Sequence, residues 1–132
     1  MKYAAADSVI STLARESLPD KSAIVIVRKS LGVMVISYDR DIRDKASRDV
    51  VEALQYYKEI DTSSMQYLCF KCPDMVESWC TYLKSDYAVS LVTYTHSPEV
   101  KKTLSEMSYT IRKILEEAYD NDDLSNWLKD GV

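Results

Sequence analysis

Apolar side chains recur near the start of the chain at Ala6, Ile10 and Leu13, with Val9 and Ala14 beside them and Ser17 completing a four-three-four spacing. That draws a narrow stripe along a helix running from about Tyr3 to Ser17. Leu18, Pro19 and Asp20 end it. The pattern then changes period. Ala23-Ile-Val-Ile-Val27 and Val33-Met-Val-Ile36 are unbroken, largely β-branched runs, and Lys29-Ser-Leu-Gly32 between them turns the chain, so the two read as a β-hairpin. Neither strand alternates with polar residues, which predicts a sheet covered by helices on both faces.

A charged stretch from Asp39 to Lys45 precedes a second helix that carries Ala46, Val50, Leu54 and Tyr57 inward, widened by Val51 and ending near Ile60. Asp61 to Ser64 makes a loop, and Met65 to Lys71 reads as a third strand. Pro73 suits the first turn of a third helix, with Asp74 and Glu77 complementing its dipole and Met75, Val76, Trp79 and Leu83 facing the core. Tyr87 to Thr95 is the fourth strand. Ser97-Pro98-Glu99 is a hydroxyl cap followed by proline, and it opens a long helix reaching about Tyr119, with a short last helix from Asp123 to Lys129. The order α-β-β-α-β-α-β-α predicts one domain over residues 1–132, of the α/β class with α+β as the alternative. Its four-stranded sheet is expected to be mixed, a hairpin plus right-handed crossovers, flanked by helices.

Composition narrows the function more than the fold. Seventeen Lys and Arg against 21 Asp and Glu leave a net charge of −4, so attraction to nucleic-acid phosphates or anionic lipid is weak. The excess collects in residues 116–132, where Glu116, Glu117, Asp120, Asp122, Asp123 and Asp130 face only Lys129. Such an acidic end either stays solvated or meets a basic partner. The longest apolar runs fall far short of the roughly 20 residues a bilayer requires, and no leader pattern precedes them. No membrane association and a cytoplasmic location are expected.

Three groups of side chains are candidates for chemistry. Cys69-Phe-Lys-Cys72, with Cys80 and His96 further on, offers ligands for zinc or a redox dithiol. The third and fourth candidates stand alone, unlike the two tight pairs of ribbon and finger sites, so reduced structural cysteines are expected and no metal is assigned. Second, the apolar strand ending Val35-Ile-Ser-Tyr38 is followed by Asp39-Arg40-Asp41. Two such carboxylates can hold Mg²⁺, one as nucleophile and the other as general acid. The segment resembles the first motif of haloacid dehalogenase-like phosphatases, and Val89 to Thr93 followed by Ser97 to Val100 is similar to their second. The resemblance implies a parallel sheet and Mg-dependent phosphoryl chemistry at Asp39 and Asp41. Alternating charges from Asp39 to Asp49 give the other reading, a solvated loop and helix start. Third, His96 at a strand-to-helix junction is the sole histidine and marks a possible small-ligand pocket. The only two glycines, Gly32 and Gly131, build no phosphate loop, and no cofactor is expected.

The strongest periodicity is Val100, Leu104, Met107, Ile111, Ile114 and Ala118, a heptad pattern with Leu115 beside it. It suits either a helix lying on the sheet or a homodimer seam along residues 98–119. Ten tyrosines against one phenylalanine favour half-buried positions and binding surfaces over a dry core. The expected function is accordingly that of a non-enzymatic protein-binding module, an inhibitor, immunity-type or adaptor protein. Tyr109, Leu115, Tyr119, Trp127 and Leu128 are its expected contact residues.

Overall fold

The computed structural model describes residues 4–28, 32–58, 77–84 and 87–119. Helix α1 (Ala4–Ser17) leads into strands β1 (Ser22–Arg28) and β2 (Gly32–Ile36), and α2 (Arg40–Lys58) follows. Strands β3 (Glu77–Lys84) and β4 (Tyr87–Thr93) precede α3 (Pro98–Tyr119). The four strands lie in the order β2-β1-β4-β3. A four-stranded sheet, the first hairpin and helices on both faces are all present. The pairing is antiparallel throughout, not mixed.

That difference has a local cause. Residues Glu77–Lys84 form a strand where the third helix was expected. Met75, Val76, Trp79 and Leu83 fit a helical spacing, yet Trp79-Cys-Thr-Tyr82 is equally a run of β-favouring side chains. Only Ser85 and Asp86 separate it from β4, and so short a connection joins antiparallel neighbours, whereas a parallel crossover needs about a dozen residues or more. The register shifts between Cys80 and Tyr82, and Thr81 at that bulge donates its hydroxyl hydrogen to the Ser108 carbonyl of α3 at 2.5 Å. The expected strand Met65–Lys71 and the expected helix Asp123–Lys129 lie outside the described residues.

Burial assigns the layers. On one face Ala6, Ile10, Ala14 and Leu18, with Leu104, Met107, Ile111 and Leu115 of α3, close over Ile24, Ile26, Tyr87, Val89 and Leu91. On the other, Ile42, Ala46 and Val50 of α2 close over Ala23, Val25, Ala88, Val92 and Cys80. Both faces of β1 and β4 are therefore apolar, as the unbroken runs require. Each fully buried large side chain contributes on the order of 1.5–3 kcal/mol relative to exposure.

Polar clamps fix both ends of the sheet. At one end Ser22 Oγ donates to Thr93 Oγ1 at 3.0 Å, Ser37 Oγ donates to the Ser22 carbonyl at 2.9 Å, and the Asp39 N–H donates to Ser37 Oγ at 3.1 Å. This chain of bonds sets where α2 begins. At the other end Asp7 in the first turn of α1 accepts from Arg28 Nη1 at 3.0 Å and from the Tyr87 hydroxyl at 2.5 Å. One carboxylate thus ties α1 to β1 and β4. Gly32 opens β2 with φ +81°, a left-handed value that a β-branched residue rarely adopts.

Candidate functional site

Asp39 and Asp41 are local structure. Asp39 Oδ1 accepts the Asp41 N–H at 3.0 Å, so Asp39 is the N-cap of α2, and Asp41 is exposed in its first turn. The charged stretch, expected as a solvated loop and helix start, is helical from Arg40, and Arg43 bonds back to the Ser37 carbonyl at 2.9 Å. Ser97, expected as a cap, accepts the Val100 N–H at 3.3 Å and begins α3. The acidic pair follows an edge strand of an antiparallel sheet, so the parallel arrangement implied by the phosphatase resemblance is not met. Both motifs are accounted for by helix initiation.

The remaining candidates are dispersed. Cys80 is buried on β3 facing α2, on a strand and not on the helix expected there, while Cys69 and Cys72 lie outside the described residues. His96 is exposed between β4 and α3. Among the described residues no three His, Cys, Asp or Glu side chains gather as metal ligands.

Helix α3 answers the periodicity question. Leu104, Met107, Ile111 and Leu115 are buried against the sheet, while Val100 is half-buried. A straight α-helix drifts about 20° per heptad, so the buried stripe passes from Ile111 to Leu115 and leaves Ile114 on its flank. Leu115, expected at the surface as a contact residue, is fully buried. Of the apolar stripe expected as a possible homodimer seam over 98–119, Leu104, Met107 and Ile111 cover this chain's own sheet and Ile114 does not.

What that drift exposes is a groove. Ile114 and the flank of α1, Ser8, Val9, Thr12, Leu13 and Glu16, line a shallow depression of about 350 Å³. Its origin is the α1 stripe, which runs Ala6, Ile10, Ala14 and Leu18 and so turns Val9 and Leu13 toward α3. Val9 is 37% exposed and Glu16 stands at the edge. His96 does not line it.

Tyrosines divide by role. The Tyr87 hydroxyl meets Asp7, and that of Tyr94 donates to Asp49 at 2.8 Å with Lys45 Nζ 5.0 Å from the ring centre. These two hold helices to the sheet. Tyr38 is 53% exposed, with its hydroxyl donating to the Ala14 carbonyl of α1 at 3.2 Å, and Tyr109 is 57% exposed. Tyr109 lies on the turn of α3 away from the sheet, its ring 5.7 Å from both Arg112 Cζ and Lys113 Nζ. The side chains of Tyr119, Trp127 and Leu128 lie outside the described residues. The Asp7 clamp and the α1–α3 groove escaped sequence reasoning. An acid in a helix's first turn reads as a dipole partner, and no spacing rule marks the seam between two helices.

No family model matches the chain, and no curated protein matches it. The geometry alone defines the candidate: an apolar groove between two helices, with an exposed tyrosine on the outer turn of one of them.

Proposed function

We propose that this chain is a protein-binding module, an inhibitor, immunity-type or adaptor protein, that engages its partner through the α1–α3 layer. The carrying observation is the groove floored by Val9, Leu13 and Ile114, which is open to solvent and large enough to receive an apolar side chain. Apolar pockets with a polar edge are where interface anchors concentrate their binding energy. Ser8 and Thr12 offer hydroxyls and Glu16 a carboxylate, so the matching partner segment presents an apolar anchor beside a basic residue. Tyr109, with its cationic neighbours, supplies a second contact on α3.

Variants separate this reading from phosphoryl chemistry at Asp39. A partner retained by the wild-type chain is expected to be retained by Asp39→Ala and lost by Val9→Arg, with circular dichroism unchanged in both. Loss with Asp39→Ala and retention with Val9→Arg contradicts the proposal. So does Mg-dependent hydrolysis of an aryl phosphate that disappears in Asp39→Ala.

A further inference from the structure

Strand β2 ends the sheet, and its residues Gly32-Val-Met-Val-Ile36 pair with β1 alone among the described residues. Its outer row of backbone N–H and C=O groups is a template that only another strand satisfies in full. Natural edges are guarded by lysine, proline or an inward-pointing charge. Within the strand there is none of them: all five residues are uncharged, Val33 is 40% exposed, and Met34, Val35 and Ile36 are half-buried, with Arg28 of β1 reaching only the Gly32 carbonyl at its start, at 3.5 Å. Tyr38, two residues beyond, is 53% exposed although its hydroxyl donates to the Ala14 carbonyl of α1. Two of the four exposed large hydrophobic residues among those described therefore lie on or just beyond this edge.

The side chains say which strand fits. Met34 and Ile36 extend the core under α1, while Val35 extends the core under α2. Strand alternation places Val33 with Val35. The sequence is nearly symmetric about Met34, with a valine on either side. A second copy laid antiparallel across a two-fold axis at Met34 pairs Met34 with Met34, Val33 with Val35 and Gly32 with Ile36. Met34 then meets Met34 and each valine meets a valine on its own face, while Ile36 lies over Gly32, which leaves room for it; the outward backbone groups pair whichever alternate set of residues carries them. We infer that β2 is a homodimerisation edge, joining two four-stranded sheets into one of eight strands. The inference is independent of the α1–α3 groove, which lies on α1 and α3 and not on β2.

Sedimentation of the full chain tests it. The expected mass at high micromolar concentration is twice 15.1 kDa. Val33→Lys, a change at an exposed side chain, is expected to weaken association by at least about tenfold with circular dichroism unchanged, because it places like charges in the seam. Register is read by Met34→Cys. Opposed Cα atoms in an antiparallel pair are about 4.5–5.5 Å apart, within disulfide reach, so mild oxidation is expected to cross-link two copies far beyond the wild-type baseline set by the native cysteines. A monomer at high concentration overturns the inference, as does a dimer indifferent to Val33→Lys or a Met34→Cys variant that cross-links no more than wild type. A monomer that binds an unrelated extended peptide along β2 overturns it equally.

Discussion

Asp7 joins three elements through one carboxylate, which accepts from a guanidinium and a phenol that lie in two different strands. Hydrogen bonds to a charged group contribute about 1.5–3 kcal/mol each. Asp7→Ala is expected to lower unfolding free energy by about 2 kcal/mol in a urea titration; a change under about 0.5 kcal/mol contradicts the clamp. Asp39 is the contrasting case. As an N-cap, Asp39→Ala is expected to cost about 1 kcal/mol, and Asp41→Ala next to nothing. Equal losses from both would contradict the cap. Ser90 Oγ is buried with no hydrogen-bond partner among the described residues, so Ser90→Ala is expected to leave stability unchanged or raise it by up to about 1 kcal/mol. A clear fall in the same titration contradicts this. At this scale the sequence was legible where a residue acts on its own neighbourhood. Ser97 read correctly as a cap, while Asp7 and Tyr94 act across 80 and 45 positions and no local pattern reports such a distance.

Elements were legible in proportion to the clarity of their period. Helix α3 and the β1–β2 hairpin follow their patterns closely, since a long amphipathic stripe and two β-branched runs each admit one reading. The β3 segment admits two, and a two-residue connection to β4 decides between them in favour of the strand. Within α3 the heptad and the true helical period diverge by one position at Ile114 and Leu115. Leu115→Ala is expected to destabilise by about 3 kcal/mol, and Ile114→Ala by less than about 1.5 kcal/mol. The reverse ranking in thermal or urea unfolding would mean that the heptad seam, and not the continuous helical stripe, contacts the sheet. The groove follows from the same drift, so it is a consequence of helix geometry that periodicity templates overlook.

At the scale of the molecule, two helical layers bury the sheet from both sides and leave distinct exteriors: the α1–α3 face with its groove, the outer side of α2, and the β2 edge. None of the described helices is long and apolar enough to cross a membrane. The groups that suggested chemistry in the sequence, Asp39 with Asp41, His96 and Cys80, stand at a helix start, in an exposed turn and in the α2-side core. The proposed use of this layout is recognition by surface, and position-specific photo-crosslinking in the native cell tests it most directly. A photoreactive residue in place of Val9 is expected to capture one discrete protein other than this chain, while the same residue in place of Arg48, exposed on α2, captures none. Identical cross-links from both positions, or none from the groove, would contradict the account.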